Sequence, residues 1–241
     1  YAFSIVSFFV LFSALGAPSA AMQVCSELFK EPERSDACYS YAYRSGVFVD
    51  GAMALSIVVI GVFIPLAIPG SNALLLLYCA YPLFLFLNEM KLIYLRIWLK
   101  NRDYAFMTNV QTCSILVCSV FGAFFFQAAG LIVGQNVALL LSWAIMCIRH
   151  PYRKIALCDQ VEKGQRRDFW KIALISALNN GLGGALSLLG TFFVGLLLMS
   201  DDLVAVYKVA TTIPFGLLFL PTLMATFVYP HFVRHRHDRR W

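Results

Sequence analysis

The chain has 241 residues, 60% of them hydrophobic and 13% charged, with a net charge of +6. Soluble domains carry about a quarter charged residues, so this composition excludes a single water-soluble core and makes lipid part of the solvent. The reading is an all-α, polytopic membrane protein.

A helix needs roughly 20 apolar residues to cross the hydrocarbon, so uncharged stretches count the spans. Tyr1 to Ser26 is the first. Its start inside an apolar run, without Met, leads us to expect a partial chain. The end of that run, "LFSALGAPSAAMQ", resembles a cleavage site, but the run lacks the basic leader of a signal peptide. Gly51 to Asn88 is too long for one helix and is broken by "IPGSN" at 68–72. Tyr104 to Ile148 is also too long, and "FQAAG" and "GQN" mark a turn near 126–136. Ile172 to Ser200 and Leu203 to Tyr229 follow. The prediction is seven spans, near 1–26, 46–68, 73–95, 104–126, 129–148, 170–199 and 203–229.

Charge placement orients them. Lys30, Arg34 and Arg44 lie between spans one and two, and Lys91, Arg96, Lys100 and Arg102 between three and four. Seven basic residues from Arg149 to Lys171 lie between five and six, and four arginines from Arg234 to Arg240 follow seven. Thus 18 of 19 basic residues fall on alternate connections. Positive charge marks the cytoplasmic side, which places 149–169 and the tail there. This accounts for the net charge and leaves no case for nucleic acid. The exception is Lys208, which enters span seven from the outer face to a depth of roughly 9 Å.

No Cys pair has C-x-x-C spacing, and the seven cysteines read as small apolar fillers. "RHRHDRR" at 234–240 reads as a basic juxtamembrane tail, with no metal site expected. "NNGLGG" at 179–184 lacks the preceding strand and following Lys-Ser/Thr of a phosphate loop, and its glycines suit close helix packing or a kink. Pro18, Pro65, Pro82, Pro214 and Pro221 lie within or at the edges of spans, as in kinked transporter helices. No catalytic constellation stands out, so no enzyme and no cofactor is expected.

Polar groups at membrane depth are costly and tend to face a bundle interior or a hydrated cavity. Asp50, Glu89 and Lys91, Asn109 with Gln111 and Thr112, Gln135 with Asn136, Asn179 with Asn180, and Lys208 with Thr211 and Thr212 are such groups. Arg44, Glu89 and Lys91 also suit snorkelling to the interface, and Lys208 can reach outward to lipid phosphate. The Asn and Thr residues also suit plain interhelical hydrogen bonding.

The segment from Leu189 to Arg234, "LGTFFVGLLLMSDDLVAVYKVATTIPFGLLFLPTLMATFVYPHFVR", carries Tyr207, Ala210 and Pro230 in an order that resembles the Wzx-type lipid-linked oligosaccharide flippases of the MOP superfamily. "FSALGAPSAA" at 12–21 is similar to that family's second helix, and "YLRIWLKNRDYAF" at 94–106 to the segment joining helices four and five. The resemblance implies helices two to eight of a 12- or 14-helix, two-bundle transporter. Residues 1–148 would be the first bundle lacking its first helix, 149–169 a basic linker, and 170–241 the start of the second bundle.

The resemblance further implies alternating access for a prenyl-pyrophosphate-linked oligosaccharide in a bacterial inner membrane, alongside polysaccharide polymerase and chain-length machinery. Lys208, with Arg44 in support, would attract the anionic head group. Asn109, Gln111, Asn179, Asn180, Thr211 and Thr212 would meet sugar hydroxyls, and Asp50 or Glu89 would couple to protons or sodium. An ion-coupled multidrug antiporter of the same superfamily is the closest alternative. A membrane-embedded polymerase or glycosyltransferase would want a larger outer loop. A retinal protein would want a mid-bilayer lysine and an Arg-x-x-Asp set in span three.

A cysteine placed in the "PGSN" turn is expected to react with an impermeant maleimide added to intact cells, and Cys158 only after permeabilisation. The opposite pattern would invert the topology.

Overall fold

The structure, a computed structural model, describes residues 2–28, 31–66, 70–150, 161, 163–198, 206–207 and 209–211. Among them there is no strand, and four helical segments are long and apolar enough to cross a membrane. The chain is all-α.

The first span is not one helix. It runs as α1 (Ala2–Leu11), a 3-10 turn (Ser13–Gly16) and α2 (Ala17–Glu27). α2 restarts with Pro18 in its first turn, where the missing N–H costs nothing.

α3 (Pro32–Phe63) begins far before the expected residue 46. The expectation counted lipid-compatible residues only, whereas a helix can continue into water past the membrane boundary. Its 32 residues extend about 48 Å, against a hydrocarbon core of about 30 Å. Asp50 therefore lies well inside the helix. α3 ends just before Pro65, as the residue preceding proline disfavours helix.

Asn72 staples the following turn. Its amide donates to the Gly61 and Ile64 carbonyls, both at 2.8 Å, and its carbonyl accepts from Leu66 N–H at 3.1 Å. The third span is then divided into α4 (Ser71–Tyr78) and α5 (Tyr81–Ile97), with Pro82 opening α5. A proline ring there clashes with the carbonyl four residues back and stops one helix from running through.

α6 (Asn101–Arg149) is a hairpin, as the sequence predicts. Phe126 and Gln127 leave the helical region, Gln127 at φ 53 and ψ −134. The limbs 101–125 and 128–149 then run antiparallel in close contact. A Cβ on Gly122 would lie 2.1 Å from the Gly130 carbonyl oxygen, and one on Gly134 2.2 Å from that of Cys118. At the open end Arg149 lies 4.6 Å from the Phe106 ring centre, and His150 is 3.7 Å from Asp103.

Helix α5 is central, packing on α2, α3 and α6. One core joins the small residues Ala14, Ala17, Ala20 and Ala21 of the first span to Tyr39 and Ala42 of α3, Phe86, Met90 and Tyr94 of α5, and Phe169 and Ala173 of α7 (Lys163–Leu198). Polar bonds fasten α4 and α5 to the second limb of α6. Asn88 donates to the Leu139 carbonyl at 2.9 Å and accepts from Ser142, Tyr78 pairs with Gln135, and Asn136 donates to the Leu77 carbonyl at 3.1 Å. Leu55, Val59, Val62, Leu116, Val120, Phe121 and Phe124 are exposed, an apolar surface suited to lipid.

Two compact units divide within α7, Tyr1–Leu188 and Leu189–Trp241. The expected boundary lay in 149–169, of which 151–160 and 162 fall outside the described residues. α7 is already helical at Lys163. Its opening is anchored on α3, where Trp170 donates to the Tyr41 hydroxyl at 2.8 Å, Phe169 packs edge-on to that ring, and Arg166 lies over it. This aromatic anchoring brings the first part of α7 into the first unit. Within the second unit, Thr211 bonds the Tyr207 carbonyl at 3.0 Å, and the Tyr207 hydroxyl lies where a Cβ on Gly190 would be 2.6 Å away. The remainder of the expected seventh span, with Pro214 and Pro221, lies outside the described residues.

Gly130→Val would drive a side chain into the facing limb. It is expected to lower stability by roughly 1–3 kcal/mol, seen as a fall in the thermal midpoint in detergent. Gly183→Ala, where nothing lies within 4 Å of the added carbon, is expected to be neutral or stabilising.

Candidate functional site

The break in the first span organises the candidate site. Ala14 (φ 47, ψ 22) and Leu15 (φ 48, ψ 39) are left-handed, and Gly16 (φ 75) follows. Such a conformation costs an L-residue other than glycine about 1–2 kcal/mol. The break also takes the Ala14 N–H out of the helical ladder, and an unsatisfied amide at this depth is costly.

Asp50 of α3 compensates. It is fully buried and accepts two hydrogen bonds, from Ser13 Oγ at 2.8 Å and from the Ala14 N–H at 2.6 Å. Hydrogen bonds to a charged group each contribute about 1.5–3 kcal/mol, the same order as the strain they offset. No Lys, Arg or His among the described residues forms an ion pair with Asp50. Among the described residues, this buried carboxylate is thus held by neutral donors alone.

The opposite side of the break rests on α7. A Cβ at position 16 would lie 2.2 Å from the Ala173 carbonyl oxygen, so both backbone angle and space require glycine there. Phe12 lies against Gly181 and Leu11 against Gly184. Ala173, Ala177, Gly181 and Gly184 fall at helical spacing on one face, a small-residue surface permitting close approach. Two glycines of "NNGLGG" therefore serve close packing.

Glu89 of α5 lies within electrostatic reach of Asp50. Its side chain is exposed. Lys91 points elsewhere, about 200° round the helix from Glu89. It is fully buried, with its ammonium 5.7 Å from the Tyr94 ring centre and Cys147 of α6 near it. Lys91 does not snorkel to the interface, because α6 covers it.

The other expected site residues do not gather around this centre. Arg44 is exposed on α3, six residues before Asp50. Asn109 is exposed and Gln111 half-buried on the first limb of α6, and Asn179 and Asn180 are exposed on α7. None of these four amides hydrogen-bonds among the described residues. Thr211 bonds its own helix backbone, and Lys208 and Thr212 lie outside the described residues. Gln135 and Asn136 are interhelical fasteners. No group of three His, Cys, Asp or Glu side chains suited to a metal occurs among the described residues.

Sequence reasoning missed Ser13 and the break itself. The signal was present as glycine and proline two residues apart in "SALGAPS", a break marker inside an apolar run. The partner carboxylate was not legible, because 36 residues separate it from Ala14.

Asp50→Ala is expected to destabilise the protein by roughly 2–4 kcal/mol, and Ser13→Ala by about 1–2 kcal/mol. Adding Ser13→Ala to Asp50→Ala should cost little more, because the bond it removes is already gone. Thermal unfolding of the four proteins in one detergent measures this, and full additivity would show that the contact does not hold the break.

No protein-family model, characterised protein or solved structure matches the chain.

Proposed function

We propose that the protein is a transporter that passes a prenyl-pyrophosphate-linked oligosaccharide from the cytoplasmic to the outer leaflet of a bacterial inner membrane by alternating access. The observation that carries the transporter reading is the break in the first span. Non-helical backbone at membrane depth is tolerated where protein buries it or a cavity is lined by it, and discontinuous helices recur at transporter sites. Here the break stands over a buried carboxylate, with the accessible Glu89 beside it. Such an arrangement serves movement and coupling better than a static bundle.

The substrate class rests on sequence. Lys208 is the single basic residue off the basic side of the spans, and a cation in a low-dielectric cavity attracts an anionic head group more strongly than one at the surface. Arg44, exposed and nearer the basic end, is placed to receive that head group on entry. Asn109, Gln111, Asn179, Asn180, Thr211 and Thr212 offer hydrogen bonds to sugar hydroxyls, and Asp50 with Glu89 serves the coupling proton or sodium ion. Basic segments 149–169 and 234–240 face the cytoplasm. No bond in the substrate is made or broken, and polymerase and chain-length proteins act on the product outside.

One observation favours a second reading, an ion-coupled antiporter of lipophilic cations. In the first unit the accessible group beside the break is a carboxylate, Glu89, and the neighbouring Lys91 is sealed between helices.

In the full-length protein Lys208→Ala is expected to reduce surface glycan at least several-fold at unchanged protein level. Normal glycan display would sink the head-group role of Lys208. Loss of cationic-dye efflux in Glu89→Gln, with glycan display intact, would establish the antiporter instead.

A further inference from the structure

We propose that Asp50 is a proton-binding site whose occupancy sets whether the first span is broken or straight. The proposal deepens the coupling role given to Asp50 above and takes its purpose, not its chemistry, from that reading.

The coupling follows from the hydrogen bonds. In the broken span the carboxylate accepts from Ser13 and from the Ala14 amide, which suits the anion. In a straight helix the Ala14 N–H would return to the carbonyl of Val10, four residues back. Asp50 would then lose its backbone donor while still buried among apolar groups. A carboxylate so placed is far costlier than the neutral acid. Straightening therefore favours the protonated form, and breaking favours the ionised form. A proton and the straight span stabilise one another, and that linkage is reciprocal.

The surroundings permit the movement. The left-handed Ala14 and Leu15 carry strain that straightening relieves. The face of α7 against the break presents Ala173, Ala177, Gly181 and Gly184, so no large side chain of that face blocks a repositioned first span. Small residues packed backbone to backbone let helices shift without unpacking large side chains.

The charged surroundings of Asp50 are few. From α5 it is faced by Glu89, whose negative charge disfavours a second one nearby. From the first span it is faced by Ser13 and the Ala14 amide, both neutral, and α7 brings alanine and glycine to the break. On α3 itself the nearest basic residue is Arg44, exposed and about 9 Å along the axis. Glu89, being accessible, is the group through which a proton from water can reach the buried carboxylate.

The test uses the full-length protein in lipid nanodiscs without substrate. Spin labels on genetically encoded residues at positions 8 and 23, both exposed and on either side of the break, report the geometry of the span. The distance between them should lengthen as pH falls, through one transition. Asp50→Asn should hold one distance at every pH. Ser13→Ala, which removes a donor to the anion, should move the transition to higher pH, and Glu89→Gln, which removes a like charge, to lower pH. Infrared difference spectra over the same range should contain a protonated-carboxyl band that is absent in Asp50→Asn.

A distance independent of pH in the unsubstituted protein, or a transition that survives in Asp50→Asn, would overturn the proposal. If Asp50→Asn does not fold, unmoved transitions in both Ser13→Ala and Glu89→Gln overturn it equally. Because no substrate is present, failure of the switch leaves the flipping assay untouched, and failure of flipping leaves the switch untouched.

Discussion

A single carboxylate holds the first span in its broken form. Asp50 accepts the two hydrogen bonds that let the first span turn left-handed at Ala14 and Leu15 while no backbone amide there is stranded in a dry interior. Much follows from that contact. It sets the direction in which α1 leaves α2, and hence which side chains of α1 reach Gly181 and Gly184 of α7. It also requires glycine at position 16, where the chain must be left-handed and pressed on the backbone of α7. A fully apolar residue at position 50 would leave the break without a hydrogen-bonding partner on α3, and a straight helix would be the cheaper form.

The two sides of the span formed by α4 and α5 are held by different physics. Toward α6 the contacts are side-chain hydrogen bonds, Asn88 with Leu139 and Ser142, Tyr78 with Gln135, and Asn136 with Leu77. Such bonds within lipid have few alternative partners and fix register. The hairpin of α6 adds backbone-close glycine contacts that leave no freedom for sliding. Toward the first span small residues pack closely, and directional bonds come from α3, where Ser35 donates to the Cys25 carbonyl at 3.1 Å and Asp50 accepts from Ser13 and Ala14. One side is held by polar bonds to α6, and the other by small residues with bonds from α3. The proposed alternating access would use such an asymmetry, since a moving helix must work against something that does not move.

The sequence was most legible where its signals are local. The α6 hairpin turns within two residues of its expected position because "FQAAG" combines a polar residue and glycine in an otherwise apolar run. The α3–α4 turn falls where "IPGSN" places it, and Asn72 supplies its hydrogen bonds. Boundaries governed by water and lipid together were less legible. α3 extends to Pro32 because lipid limits the apolar stretch and not the helix. The start of α7 read as linker because residues 163–169 are rich in charge, yet Phe169 and Trp170 bind it to Tyr41 more than a hundred residues earlier. Tertiary contacts of that separation leave no periodicity to read.

The same distinction governs the candidate site. Intramembrane cost singled out Asp50 and Glu89 separately, because an ionisable group at depth is rare whatever it contacts, and the structure brings the two within electrostatic reach. The same argument grouped Lys91 with Arg44 as a snorkelling cation, and there it failed, since the α6 limb covers Lys91 entirely. For Asn109, Asn179 and Asn180, exposure without hydrogen bonds leaves an amide facing either lipid or a hydrated cleft, and lipid is the costlier neighbour. That energetic preference, more than their spacing, is what the proposed sugar-binding role of these residues rests on.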